Sequence, residues 1–292
     1  MLKRHELLYR SGRGKDILVR IFTNWQAVVG IVIMAIFVFF ALFGKLLFPY
    51  SPTTDFANRF LPSSAEHWLG TDEMGRDVFR QLVNGAASGV SIAVLTALFT
   101  SFLGVLFGMI SGYVGGLTDK ILQLITNLFL NIPTFPILLL LSTLITIEDP
   151  LSFALVLSAF NWAGLSRAVR ALVISLKERD FIDICRVMKM PRMHIIFREL
   201  MPNISSYLII NFILLMKGAI LGSVGIMTLG LAGFDPTNWG AMLYRARTAG
   251  LVNTNVMIFL LKPLITVCIF QIGATMLANG LDEVLNPRLQ NN

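Results

Sequence analysis

Apolar residues in this chain run on without the alternation of a membrane strand. Six continuous segments, at about 26 to 48, 88 to 113, 119 to 145, 151 to 173, 204 to 232 and 256 to 281, stand out. A helix needs roughly 20 apolar residues to cross the hydrocarbon core, so each segment is long enough to span. Unbroken runs predict helices instead of barrel strands. The expected fold is an all-α integral membrane protein of six transmembrane helices, one domain over 26–292 preceded by a tail over 1–25.

The polar stretches between the runs predict further elements. Loop 49–87 opens with Pro49 and Pro52, which block helix continuation, and Asp77 to Val83 has apolar residues at helical spacing, as for a short helix lying at the outer interface. Gly112 to Gly116 reads as a tight turn, Pro133 and Pro136 as a kink in the third span, and Gly218, Gly222 and Gly225 as a face admitting a close helix neighbour. The charged run from Lys177 to Asn203 separates two apolar segments. Within it Asp180 to Lys189 is amphipathic, Pro191 interrupts, and His194 to Leu200 leads to Pro202 and Asn203 at the start of the next span, giving helix, turn, helix. The residues alone leave two readings of this loop: a helix lying flat on lipid, or one docking into a groove of a soluble partner.

Charge sets the orientation. The tail carries Lys3, Arg4, Arg10, Arg13, Lys15 and Arg20, whereas the basic residues of loop 49–87 are diluted by Asp55, Glu66, Asp72, Glu73 and Asp77. The positive-inside rule places both termini and the basic 174–203 loop in the cytosol. The first apolar run is longer than a signal-peptide core and is expected to stay as an uncleaved span.

Composition agrees with a membrane protein. The chain is 55% hydrophobic and 14% charged, with a mean hydropathy of +0.72. Its net charge of +7 comes from residues flanking the apolar runs, which points to topology and not to nucleic acid. Cys185 and Cys268 form neither a disulfide framework nor a metal motif, and His5, His67 and His194 lack ligand spacing. No GxxxxGK[ST] phosphate loop occurs, so energy for any pumping must arrive from outside the chain. Lys217 lies deep in the fifth span, where a charge faces a cavity or a subunit interface, unless the span is shifted and sets it at the membrane surface; Lys262, nearer the outer end, is expected to snorkel. A stand-alone secondary transporter would need a buried acid or histidine relay, which the spans lack, and a scaffold would need no pathway.

Two segments carry a resemblance. Leu69-Gly70-Thr71-Asp72-Glu73-Met74-Gly75-Arg76-Asp77-Val78 resembles the LGTDxxGRDV segment of the second permease of oligopeptide, dipeptide and nickel ABC importers. Asp183-Ile184-Cys185-Arg186-Val187-Met188-Lys189, with Pro202 downstream, is similar to the EAA loop of ABC-importer permeases. Gly112-Tyr113-Val114-Gly115-Gly116, Leu229-Gly230-Leu231, Asn238 to Leu243 and Asn286-Pro287-Arg288-Leu289 fit the same subunit. The chain departs from that pattern at Asp183 for glutamate, Ile184 and Cys185 for the two alanines, Lys189 for the loop glycine, and Ser223 for a glutamate of the fifth span.

The resemblance implies the type I, MetI-like permease fold in a bacterial or archaeal cytoplasmic membrane. It also implies a five-part importer: this chain, a second homologous permease, two ATP-binding subunits that hold ATP and Mg, and an extracytoplasmic substrate-binding protein. Asp183, Ile184, Cys185, Arg186, Met188, Lys189 and Pro202 then form the ATPase-coupling loop, with Ile184 and Met188 as apolar contact. Gly70, Thr71, Asp72, Gly75, Arg76 and Asp77 form an external elbow, its helix capped by acidic residues. Lys217 and Ser223 are candidates for the pathway or subunit interface. Peptide is the expected cargo, with nickel chelates and oligosaccharides as alternatives.

Overall fold

A computed structural model describes residues 18–145, 147, 149–231, 235–249 and 254–285. The helices are α1 (Trp25–Leu47), α2 (Val78–Val114), α3 (Gly116–Asn131), α4 (Thr134–Leu144), α5 (Pro150–Lys177) and α6 (Asp180–Val187). They continue with α7 (Arg192–Thr228), α8 (Trp239–Thr248) and α9 (Thr254–Leu285). Among the described residues the only β pairing is a lone antiparallel bridge between Thr71 and Asp77.

Polar side chains start several helices by accepting the backbone N–H groups that a first turn leaves unpaired. Asn24 caps α1 through the Ala27 amide, Asp77 caps α2 through Arg80, and Asp149 caps α5 through Leu151 and Ser152. Pro150 follows in the first turn of α5, where its missing N–H is not needed.

Three boundaries differ from the sequence expectation. The short interfacial helix expected from Asp77 is the first part of one continuous 37-residue helix. Asn84 and Gly85 do not break it: Asn84 donates to the Phe48 carbonyl at 2.8 Å, and an added Cβ at Gly85 would lie 2.2 Å from the Thr237 carbonyl oxygen, so Gly85 lets the 235–249 segment seat. The kink expected at Pro133 is a full break, with α3 and α4 bent by 81°. Pro202 does not open a new helix. The turns Ile195–Leu200 before it are π-helical, and the wider backbone there accommodates the proline ring and its absent N–H within α7.

Helices α1, α2, α7 and the Met257–Leu285 part of α9 are long and apolar enough to cross a membrane, and the bent α3–α4 pair makes a fifth candidate. Helix α5 has the length, 28 residues, but its polar residues keep it out of that set. Its most extensive interface is with α2, which runs through the middle of the bundle. There Gly104, Gly108 and Gly112 form a ridge at four-residue spacing on which Leu165, Ser166, Val169, Arg170 and Val173 rest; a Cβ at Gly108 would lie 2.6 Å from the Ser166 carbonyl oxygen. Apolar burial adds little between helices in lipid, so such close backbone approach is what holds them together. By contrast Gly218 has open space around it, Gly222 meets only Leu157 and Gly225 only Phe135, so the close packing expected at these glycines is not made among the described residues.

At the elbow end, Trp239 of α8 is buried between Phe37 and Phe270 and donates its indole N–H to the Leu82 carbonyl at 3.1 Å. Asn238 reaches Ser88 at 3.1 Å. At the opposite end a second core joins Met109, Val169, Val173, Ile195, Leu200 and Ile204 with Ile182 and Cys185 of α6.

Candidate functional site

Helix α6 is short and strongly two-faced. Ile182 and Cys185 are buried in the core just described, while Ile184, Val187 and Met188 are 60%, 83% and 62% exposed. Three large apolar side chains on one turn of a surface helix are left uncovered by the described residues of this chain. Asp183 and Arg186 pair at 2.7 Å along the rim. The sequence reading had Ile184 and Met188 but missed Val187, the most exposed of the three.

The turn after α6 accounts for one departure from the EAA pattern. Lys189 has φ +56°, and the bonds Lys189 N–H to Arg186 C=O (2.9 Å) and Met190 N–H to Cys185 C=O (3.0 Å) close the helix end around it. This is the left-handed cap that glycine adopts without strain. Lys189 adopts this conformation at a cost that a glycine, as in the pattern the segment resembles, would avoid.

Beside α6, a polar notch of about 490 Å³ is lined by Ser111, Gly115, Asp119, Lys177, Asp183 and Arg186. Asp119 on α3 takes two hydrogen bonds from Arg170 on α5, at 2.6 and 2.7 Å, and one from Ser111 on α2. Lys177 donates to the Tyr113 carbonyl at 2.8 Å. These residues tie the ends of α2, α3 and α5 together next to α6. Arg170 is far from Ser111 and Asp119 in sequence, and the sequence reading missed all three.

The elbow is built around a buried carboxylate. Asp72 accepts from the backbone N–H groups of Met74 and Arg76, both at 2.8 Å, from Arg76 Nε at 3.0 Å and from Gln81 Nε2 at 2.9 Å. Thr71 donates to the Asn58 carbonyl and accepts from the Leu61 N–H. Gly75 has φ +75°, and a Cβ there would lie 1.8 Å from the Asp55 carbonyl oxygen, so only glycine fits. Gly70 is likewise at φ +67° against the Leu61 carbonyl. Asp77 holds His67 at 2.8 Å as well as capping α2.

Glu73 and Arg245 extend the cluster. Arg245 on α8 donates to Gln81 at 2.6 Å and lies 3.6 Å from Glu73, which is also 3.8 Å from Arg76. Burial, followed by the neighbouring Asp72 charge, pushes the Glu73 carboxyl above its ordinary range. Lys262 donates to the Leu69 carbonyl at 2.5 Å, so the expected snorkelling ends on the elbow backbone. The elbow is thus locked to α8 and α9.

Lys217 is half-buried; its carbonyl accepts from Gln271 of α9 at 3.0 Å. Ser223 is buried and donates to the Ile220 carbonyl at 2.9 Å, so it faces the chain's own bundle and not an open surface. Pro202 is exposed on α7. The tail residues Lys3 to Lys15 and the Asn286 to Leu289 motif lie outside the described residues.

The family model for binding-protein-dependent transport system inner membrane components matches residues 104–291. The chain belongs to this family. A second model, the N-terminal TM domain of oligopeptide transport permease C, matches this permease over residues 12–62. A dipeptide transport system permease protein of Alkalihalophilus pseudofirmus is 32% identical over 271 residues, covering 91% of this chain and 87% of its own. Oligopeptide transport system permease proteins of Bacillus subtilis (27%, 94% of this chain and 90% of theirs) and Mycobacterium bovis (30%, 94% of both) are also similar. The permease is therefore a multi-pass inner-membrane component of the ABC-importer type, with the all-helical fold of that family.

Proposed function

We propose that this permease imports short peptides as one half of a translocation pathway, with a second homologous permease as the other half. It is a non-catalytic subunit: two ATPase subunits bind ATP and Mg, and an extracytoplasmic binding protein delivers the cargo. The cargo reading rests on the peptide transport named for the similar permeases.

The observation that carries the coupling is α6, anchored by Ile182 and Cys185 and presenting Ile184, Val187 and Met188 outward. An apolar patch of this kind suits the groove of a soluble partner. ATP binding would bring the ATPases together, draw the seated helices with them and rock the two permeases about the bundle. The Asp119–Arg170–Ser111 cluster makes α2, α3 and α5 follow α6 as one body. On the other side, the rigid elbow and α8 supply the surface that the binding protein meets. In this arrangement both termini are cytosolic.

The test is purification through a tag on this chain, followed by identification of what accompanies it and of the ligand in the associated binding protein. Two ATPases, a second permease and a bound di- or oligopeptide are expected. A solitary active chain, or a nickel chelate or sugar in the binding protein, would contradict the proposal. A Met74→Cys variant labelled only from the cytosol would reverse the topology.

A further inference from the structure

Among the described residues, two cations of the long helices, the exposed Arg167 and the half-buried Lys217, lack an acidic partner. Helix α5 buries Trp162, Leu165 and Val169 against the bundle and exposes Ala159, Asn161, Gly164 and Arg167 on the other side. Arg167 is about 25 Å from the first residue of α5 and about 15 Å from the last at 1.5 Å per residue. Its guanidinium donates to a neutral group, the Asn127 side chain of α3, at 2.7 Å. Lys217 on α7 lies about 16 Å below the outer end of its helix and has no ion pair or side-chain hydrogen bond with another described residue. Next to it Leu214, Gly218 and Leu221 are exposed, and neither Gly164 nor Gly218 has any atom within 4 Å of an added Cβ. Leu157 of α5, itself buried, meets Gly222 of α7, so the two helices pack against each other.

Acids could neutralise this face, but among the described residues of the long helices they are few. Asp119 is taken up by Arg170, and Glu199, Asp282 and Glu283 lie near helix ends. Lys262 is held by the elbow. A cation facing hydrocarbon is costly, and one facing a water-filled passage is not. Passages lined by Arg and Lys favour anions.

We infer that Arg167 and Lys217 make the pathway selective for cargo bearing carboxylates, the peptide C-terminus among them, and unfavourable to net-cationic cargo. This rests on the peptide-importer reading. Binding-protein affinity selects peptides first; the cationic face selects again during passage, by attracting the carboxylate as hydration is shed.

The test uses the complete importer in liposomes with saturating binding protein, and compares import of trialanine, Glu-Ala-Ala and Lys-Ala-Ala by wild type, Arg167→Gln, Lys217→Met and the double variant. A unit charge about 10 Å from the passing cargo at an effective dielectric near 20 changes rates by roughly tenfold. Wild type is expected to import Glu-Ala-Ala faster than Lys-Ala-Ala. The double variant should reduce that ratio at least about fivefold with ATP hydrolysis still stimulated, while Arg167→Lys and Lys217→Arg keep it. An unchanged ratio would overturn the inference, and so would loss of assembly in Lys217→Met, which would assign that ammonium to an acid of the second permease. If wild type imported none of the peptides, the peptide reading would fall first, and that result is distinct from an unchanged ratio.

Discussion

Arg170 on α5 grips Asp119 on α3 through two hydrogen bonds of 2.6 and 2.7 Å, fastening two helices beside the one proposed to receive energy from ATP. The pair is partly buried, and charge-assisted bonds of this kind contribute about 2 kcal/mol. Arg170→Ala should therefore leave the permease inserted but lower its melting temperature and weaken coupling. The check is the ratio of transport to ATP hydrolysis in the reconstituted complex, expected to fall.

Lys189 sits at φ +56°, where a side chain costs about 1 kcal/mol that glycine avoids. Lys189→Gly is expected to stabilise the α6 turn by about that amount, seen as slower proteolysis or amide exchange across residues 180–190. A loosened turn in that measurement would contradict the cap geometry.

Gly75→Ala places a Cβ against the Asp55 carbonyl at 1.8 Å while holding φ at +75°. The elbow must open to admit it, at more than about 2 kcal/mol. Binding-protein-stimulated transport should fall sharply with the ATPases still attached. Asp72→Asn should act similarly, because it weakens four hydrogen bonds and leaves Arg76 buried beside a neutral group, typically a loss of about 3 kcal/mol.

Glu73 supplies a pH dependence. Because burial raises its carboxyl above the ordinary value of 4.5, the folded elbow binds the proton more tightly than the unfolded chain. Its contribution is full below about 4.5 and is lost as pH rises through the folded value. Glu73→Gln should flatten the melting temperature against pH above 4.5. The same slope in both proteins would remove Glu73 as its source.

The long apolar helices, the elbow motif and the amphipathic α6 are written locally, in runs, spacing and turn residues, and could be read from the chain. Of the six spans expected, only four, or five with the bent α3–α4 pair, are long and apolar enough to cross a membrane among the described residues. What the sequence did not show depends on distant partners. Arg245 meets Gln81 and Glu73, and the glycines 104, 108 and 112 matter only because Leu165 to Val173 lie across them. The continuity of α2 through Gly85 and of α7 through Pro202 was also hidden, since local breaking signals are overridden by Thr237 packing on one and by a π turn on the other. The glycines of α7 misled for the converse reason: small residues mark close approach, and here the approaching surface is not among the described residues of this chain.

Energy input through α6 is the central claim, and the double variant Ile184→Ala with Met188→Ala tests it most directly. Each seated apolar anchor contributes about 2 kcal/mol or more at such an interface, and Ile182 and Cys185, which hold the helix to the bundle, are left intact. The measurement is ATP hydrolysis by the purified importer in liposomes, with and without loaded binding protein, alongside the amount of ATPase retained. Release of the ATPases, or hydrolysis that no longer responds to the binding protein, is the predicted result; wild-type import with wild-type stimulated hydrolysis would contradict it and leave α6 as a helix lying on lipid.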